Sequence, residues 1–253
     1  MPLDTTSYYP DVPSSEPEAG RAGQPRAEVE KNDSPAPVPA PRPEPAEGPK
    51  WLTLACNILS WVLVPLLMPV YGVMLIFGLS ILDIAPMHTR VLFTIIVFIF
   101  NVVIPMGMVM LLKKAGVVED IGLNGRKERL LPYIITILCL GATAWFMSLK
   151  GAPLWMSMFF IGGAVAGIIN FAVNFYWKIS AHSAGIAGIV AMLIRIMRDG
   201  FPEPSTFSWL IAVILLSGLL GAARVWLGRH TAGQVLAGYA VGFCSVFFIT
   251  LIH

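Results

Sequence analysis

Charged side chains are scarce in this chain. Asp, Glu, Lys and Arg make up only 13% of its 253 residues, whereas 56% are hydrophobic. A water-soluble domain carries about 25% charged residues, so the composition excludes a water-soluble enzyme and indicates a protein that lies in a bilayer. Cysteine is scarce as well. The three cysteines all lie in apolar runs, which is typical of small buried hydrophobes and excludes a disulfide scaffold.

Carboxylates are especially rare beyond residue 50. Nine of the 15 acidic residues and five of the 17 basic residues lie within residues 1–50, so residues 51–253 carry six acids against 12 bases. Twelve of the 20 prolines also lie within residues 1–50. Such a segment buries too little apolar surface to offset its ordering entropy. We therefore expect residues 1–50 to be a disordered, Pro-rich acidic tail and residues 51–253 to form a transmembrane bundle.

Seven apolar runs have the length needed to cross a bilayer, which takes about 20 helical residues. The predicted spans cover residues 56–80, 90–112, 131–149, 154–177, 183–198, 207–224 and 231–252. The predicted fold is all-α: a polytopic membrane helical bundle of six core helices plus an N-terminal hydrophobic element. Residues 51–86 are too long for one upright helix and contain Pro65 and Pro69, so this element is either a kinked span or a helical hairpin.

Three polar clusters interrupt the apolar pattern, at residues 123–132, 177–185 and 223–234. Two spans separate each cluster from the next, so all three are expected at the same membrane face. That face gathers six basic side chains and two histidines: Arg126, Lys127, Arg129, Lys178, Arg224, Arg229, His182 and His230. Arginines that converge on a pair of histidines predict a site for an anion, most simply a phosphate.

The seventh span carries a polar face of its own. His230, Gln234, Gly238 and Gly242 recur every four residues and therefore share one side of a helix. Gly238 and Gly242 form a GxxxG pattern, which predicts close approach of a neighbouring helix. This side is therefore expected to face inward and to carry His230 and Gln234 into the mouth of the bundle.

The clusters resemble the signature of the type 2 phosphatidic acid phosphatase superfamily, whose patterns are KxxxxxxRP, PSGH and SRxxxxxHxxxD. The third pattern is matched best. Arg224 is followed after five residues by His230, and Gln234 stands in the place of the aspartate. In the second, Ser180 and His182 are kept, but the proline and glycine are not.

The first pattern is matched only loosely. No lysine lies seven residues before Arg126 or Arg129, and Pro132 does not directly follow an arginine. From about residue 51 onward, the chain is similar to bacterial membrane members of this superfamily in which the forms KER-xx-P, IS-x-H and H-xxx-Q occur together.

The resemblance implies a lipid phosphate phosphatase that needs neither metal nor cofactor. His230 would be the nucleophile that forms a phosphohistidine. His182 would protonate the leaving lipid oxygen and then activate water, and Gln234 would orient His230. The phosphate would be held by Arg224, Arg126, Arg129 and Ser180.

The implied partners are the bilayer and a lipid phosphate, with no nucleic acid. Phosphatidic acid, phosphatidylglycerol phosphate, prenyl pyrophosphate and lipid A phosphate all remain open as substrates. The resemblance implies an inner-membrane protein whose site faces the periplasm. Counting basic residues by the positive-inside rule places the same face in the cytoplasm instead.

Several alternatives stay open. With Gln at the aspartate position, the chain is alternatively a catalytically weakened lipid-phosphate binding protein or a transporter of the same fold. A transporter is expected to show inverted repeats or broken mid-membrane helices, whereas the polar residues here cluster at one face. A metal enzyme would need carboxylates beside the histidines, and only Glu119, Asp120 and Glu128 lie in a loop on that face. In a purely structural alternative, the histidines bond backbone or headgroups at helix ends, and the arginines are interfacial anchors.

Overall fold

The computed structural model describes residues 48–116, 130–198 and 203–252. In these ranges all regular secondary structure is helical, and there is no strand. The helices in these ranges are α1 Lys50–Val62, α2 Met68–Leu79, α3 Met87–Phe98, α4 Ile104–Lys114, α5 Leu130–Leu149, α6 Leu154–Asn174, α7 Ala181–Arg198, α8 Thr206–Trp226 and α9 Ala232–Thr250. They form seven spans long and apolar enough to cross a membrane, with α1 and α2 in the first and α3 and α4 in the second. The predicted all-α polytopic bundle is confirmed. The predicted tail lies almost entirely outside the described residues.

The first span is kinked and is not a hairpin. A 3₁₀ turn at Pro65–Leu67 separates α1 from α2. α1 packs mainly on α8, whereas α2 packs on α3 and α7, so the two helices follow one another across the bundle. Pro65 lacks an N–H group and cannot continue the hydrogen-bond ladder of α1. Side chains supply donors instead, since the Tyr71 hydroxyl donates to the Val62 carbonyl at 2.9 Å.

The second span is interrupted too, by a π-helical turn at Ile99–Val103 between α3 and α4. Asn101 lies in this turn and is 1% exposed. Its Nδ2 donates to the Val97 carbonyl at 3.0 Å and to the Thr143 hydroxyl on α5 at 2.8 Å. Both interruptions fall near the middle of their spans. The sequence analysis assigned broken mid-membrane helices to the transporter alternative. The first span has such a break, whereas the second stays helical through its π turn.

α7 is the most buried of the seven spans and packs against α9, α8 and α2. Its crossing with α9 is very close. A Cβ added at Gly238 would meet the Ser180 carbonyl, and one added at Gly242 would meet the backbone of Ala184. The predicted close packing at this GxxxG pattern is therefore confirmed.

Successive spans alternate in direction, which fixes the two ends of the bundle. The N-termini of α1, α5, α7 and α9 and the C-termini of α4, α6 and α8 lie at one end, called the site end here. A bond from the Ser180 N–H to the Gln234 carbonyl, at 3.2 Å, joins α7 to α9 at this end. At the opposite end, the Glu203 N–H donates to the Leu79 carbonyl at 3.4 Å.

Candidate functional site

Arg224 and His230 are joined by the turn that ends α8. Gly228 adopts a left-handed φ of 62°. Its N–H donates to the Val225 carbonyl at 2.9 Å, and the Arg229 N–H donates to the Arg224 carbonyl at 3.1 Å. These two bonds form a Schellman motif. The His230 N–H donates to the same Arg224 carbonyl at 3.2 Å. The backbone of this turn therefore explains the spacing of five residues between Arg224 and His230.

α9 begins immediately after this turn with a capping box. The Thr231 hydroxyl accepts from the Gln234 N–H at 3.4 Å, and the Gln234 Oε1 accepts from the Thr231 N–H at 3.2 Å. This reciprocal pair satisfies two donors at the start of the helix. The sequence analysis missed Thr231, although the Thr-x-x-Gln pattern at residues 231–234 is a readable signal for such a cap.

The same Gln234 oxygen also determines the tautomer of His230. The His230 Nδ1 lies 3.1 Å from the Gln234 Oε1. A backbone N–H only donates, so the bond from Thr231 identifies the contacted amide atom as the oxygen. An amide oxygen only accepts, so Nδ1 carries the proton and Nε2 carries the lone pair in the neutral ring. In this tautomer Nε2 is the ring atom that can accept a hydrogen bond. His230 is 2% exposed.

His182 lies in the first turn of α7, and its ring reaches the kink of the first span. Its Nε2 is 3.2 Å from the Ser60 carbonyl of α1. In a continuous helix the N–H of Val64 would donate to that carbonyl, but α1 ends at Val62. A carbonyl only accepts, so Nε2 of His182 carries a proton. Nε2 of His182 therefore bonds to backbone at a helix end, as the purely structural alternative expects. Nδ1 is the atom through which His182 would exchange a proton with a ligand.

Ser180 caps α7 and is fully buried. Its Oγ accepts from the Ser183 N–H at 3.3 Å and from the Ser183 hydroxyl at 2.9 Å. Its oxygen is therefore engaged as a helix cap, and the phosphate contact expected from its hydroxyl proton stays a prediction. The bond from the Ser180 N–H to the Gln234 carbonyl joins the start of α7 to the first turn of α9.

Among the described residues, the charged side chains of the site end suit an anion. Arg224 is half-buried at the end of α8, whereas Arg126 and Arg129 lie outside the described residues. Among the residues that the structure describes, the acids Asp83 and Glu203 both lie at the opposite end, where Asp83 pairs with Arg90. The described charged side chains of the site end are all basic: Lys50, Lys113, Lys114, Lys178, Arg224 and Arg229.

The described residues offer little for a metal ion. Within residues 48–116, 130–198 and 203–252, no three His, Cys, Asp or Glu side chains cluster in a way that would hold one. Among the described residues, the site end provides cationic side chains, the imidazoles of His182 and His230, and backbone donors. Comparison of the chain with models of known protein families, with curated proteins and with solved structures gives no match.

Proposed function

We propose that this protein is a membrane lipid phosphatase that hydrolyses a phosphate monoester or pyrophosphate on a lipid through a phosphohistidine intermediate. The observation that carries the proposal is the way that the Gln234 oxygen holds the ring of His230. Its Nδ1 is held by the Gln234 oxygen, so Nε2 presents a lone pair next to a turn that also positions Arg224. The resemblance of the three sequence clusters to the type 2 phosphatidic acid phosphatase superfamily supports the same reaction.

In the first step, Nε2 of His230 attacks phosphorus and the bond from phosphorus to the lipid oxygen breaks. The phosphoryl oxygens gain charge in this step, and Arg224 and the other basic side chains of the site end stabilise that charge. Nδ1 keeps its proton and its bond to Gln234 as the ring becomes positive. In the second step, water attacks the phosphorus of the phosphohistidine, the P–N bond breaks, and phosphate leaves.

His182 acts as the acid and base through Nδ1. Because Nε2–H is bound to the Ser60 carbonyl, a doubly protonated His182 gives its Nδ1 proton to the leaving lipid oxygen. The ring that results is neutral, with its proton on Nε2, so the bond to Ser60 is kept. Nδ1 then accepts a proton from the attacking water.

In the superfamily that the chain resembles, an aspartate stands at the position of Gln234. The geometry around Gln234 limits the loss of reaction rate expected from this change. In a serine protease, a neutral amide at the orienting position lowers the rate about 10⁴-fold because the wrong tautomer forms. Here the Thr231 N–H holds the amide oxygen toward His230, so the tautomer is the productive one. The missing element is the negative charge that would stabilise a positive imidazole.

The substrate class follows from the surroundings of the site. The site end sits on seven apolar spans, so acyl or prenyl chains remain in the bilayer while the phosphate reaches the histidines. Phosphatidic acid, phosphatidylglycerol phosphate, prenyl pyrophosphate and lipid A phosphate all fit this description. The sequence resemblance favours an inner-membrane location with the site end toward the periplasm.

The decisive experiment measures phosphate release by the purified protein in lipid nanodiscs. We expect His230→Asn to abolish release while the protein keeps its melting temperature. His88→Asn is the matched control, because His88 is exposed at the opposite end of the bundle. Radiolabelled substrate should leave an acid-labile, base-stable phosphoprotein in the wild type and in His88→Asn. Release by a folded His230→Asn protein would refute the proposal.

A second candidate is a transporter of lipid phosphates. The specific observation in its favour is the break in the first span at Pro65–Leu67, which contacts the π turn at Ile99–Val103 of the second span. Translocation of a fluorescent lipid phosphate across liposomes, without phosphate release, would favour this candidate. Release that depends on His230 would favour the phosphatase.

A further inference from the structure

The break in the first span leaves one backbone carbonyl of α1 open to a side chain. A residue that precedes proline is disfavoured in the α region, and Val64, which precedes Pro65, is extended with a ψ of 142°. Leu63 has already left the helix with a ψ of 37°, and its N–H makes the last bond of the ladder, to the Leu59 carbonyl at 2.9 Å. The next ladder bond, from Val64 to the Ser60 carbonyl, is therefore lost.

The first turn of α7 packs on this break. Gly185 lies three residues after His182 and therefore on the same side of the helix. A Cβ added at Gly185 would meet the Met68 side chain and would come within 3.8 Å of the Pro65 Cα. Glycine at this position thus lets the α7 backbone approach the break closely, and Nε2 of His182 lies 3.2 Å from the Ser60 carbonyl. Pro65 makes the carbonyl available, and the close packing brings the imidazole to it.

This bond selects one form of the His182 ring. A neutral imidazole carries its proton on either Nδ1 or Nε2. The Ser60 carbonyl can only accept, and Ser60 is 6% exposed, so a ring with its proton on Nδ1 would leave a buried carbonyl without its donor. The free energy lost with such a bond corresponds to a preference of roughly 10- to 100-fold for the Nε2–H form. The lone pair of the neutral ring is then on Nδ1, the atom that the acid and base steps use.

We infer that Pro65 is a positioning residue for the proposed reaction, because the break that it makes gives His182 the backbone acceptor that fixes its protonated nitrogen. The inference rests on the proposed function for the role of His182, whereas the form of the ring can be measured without turnover. It assigns the break in the first span to catalysis, whereas the transporter candidate assigns the same break to a translocation path.

NMR of the histidine rings tests the contact without using activity. The sample is the full chain with ¹⁵N-labelled histidine in lipid nanodiscs, at a pH at which the rings are neutral, and the signals of His182 are identified by their loss in His182→Asn. We expect the wild type to carry the His182 proton on Nε2. In Pro65→Ala, the Val64 N–H can take over the Ser60 carbonyl, so both forms of the ring should appear. A wild-type ring with its proton on Nδ1, or an unchanged ring in folded Pro65→Ala, would overturn the inference.

A kinetic test compares two leaving groups. An alkyl phosphate needs a proton on its departing oxygen, whereas nitrophenyl phosphate does not, because nitrophenolate is a stable anion. Pro65→Ala should lower kcat/KM for a long-chain alkyl phosphate by about tenfold or more and leave kcat/KM for nitrophenyl phosphate nearly unchanged. Pro69→Ala is the matched control and should change neither value, because Pro69 lies in the first turn of α2, where proline is tolerated.

The outcomes separate the two proposals. An equal fall for both phosphates, or the same fall in Pro69→Ala, would mean that the substitution disturbs the bundle as a whole, and it would overturn the positioning role while phosphatase activity stands. If the wild type releases no phosphate from any lipid, the proposed function fails, and the NMR comparison alone decides whether the break fixes the form of His182. Melting curves of both alanine variants establish that they are folded.

Discussion

The first two spans and the last three are built differently. In the first two, the helix is interrupted at Pro65–Leu67 and at Ile99–Val103. At the first, Tyr71 and His182 donate to the carbonyls of Val62 and Ser60. At the second, Asn101 donates to the Val97 carbonyl and to the Thr143 hydroxyl. In α7, α8 and α9 the helices run unbroken, and glycines let α9 approach the α7 backbone closely.

The comparison shows two ways to stabilise a membrane bundle. The interrupted spans depend on individual polar bonds, each worth about 1 kcal/mol. The regular spans depend on shape, because small residues at the crossing let two backbones meet. The interrupted region should therefore be sensitive to loss of single polar atoms, and the regular region to added volume.

The largest expected effect is at the crossing of α7 and α9. Gly242→Leu would drive a side chain into the Ala184 backbone, which cannot rotate away. We expect a loss of about 4 kcal/mol or more in the free energy of unfolding, which would appear as aggregated protein in detergent. Gly141→Leu is the control, since the space around Gly141 on α5 is open. Equal melting temperatures of the two variants would contradict the close packing.

The next effect concerns the start of α9. Gln234→Leu removes the oxygen that orients His230 and should lower phosphate release by at least about 10²-fold. Gln234→Glu keeps an acceptor at the same reach and should retain activity. Thr231→Ala is the control. Like Gln234→Leu it removes part of the helix cap, which should lower the free energy of unfolding by about 1 kcal/mol. It keeps the backbone N–H that holds the Gln234 oxygen. Equal activity of Thr231→Ala and Gln234→Leu would show that Gln234 acts only as a cap.

A smaller effect is expected at the kink of the first span. Tyr71→Phe removes one hydroxyl and leaves the Val62 carbonyl without that donor. The free energy of unfolding should fall by about 1 kcal/mol, with phosphate release unchanged, because Tyr71 lies on α2 and outside the candidate site. Thermal unfolding followed by tryptophan fluorescence would measure the change. Unaltered stability would mean that the kink does not depend on this bond.

The smallest effect is the coupling of Asn101 to Thr143. A double-mutant cycle with Asn101→Leu and Thr143→Val isolates the bond between them, which is 2.8 Å long. Polar bonds between membrane helices average about 0.6 kcal/mol and reach about 1.7 kcal/mol. We expect a coupling energy within that range. Additive single effects would indicate that the π-helical turn is stabilised by packing alone.

Hydropathy predicted the fold well because a helix that crosses a bilayer needs about 20 apolar residues, and runs of that length are easy to recognise in a sequence. The predicted ends of α5 and α7 lie within two residues of the observed ends. The interruptions were harder to predict. Pro65 indicated the kink of the first span. Pro105 is the corresponding signal in the second span, since it cannot donate to the Asn101 carbonyl four residues earlier, and the sequence analysis did not use it.

The candidate site was predicted in part. Counting spans placed the clusters at residues 177–185 and 223–234 at one end, and the bond between Ser180 and Gln234 joins them there. The third cluster lies mostly outside the described residues, so the roles of Arg126 and Arg129 stay predictions. The bond of His182 to Ser60 spans more than a hundred residues, and no local pattern could reveal it.

The turn at Gly228 fixes how many residues can separate Arg224 from His230. Its hydrogen bonds tie Arg229 and His230 back to one carbonyl, that of Arg224. Side chains at Val225 and Leu227 can therefore vary without changing the register. Inserting or deleting a single residue between Arg224 and His230 would rotate the imidazole away from Gln234 and break the start of α9. This loop should tolerate substitution but not a change in its number of residues.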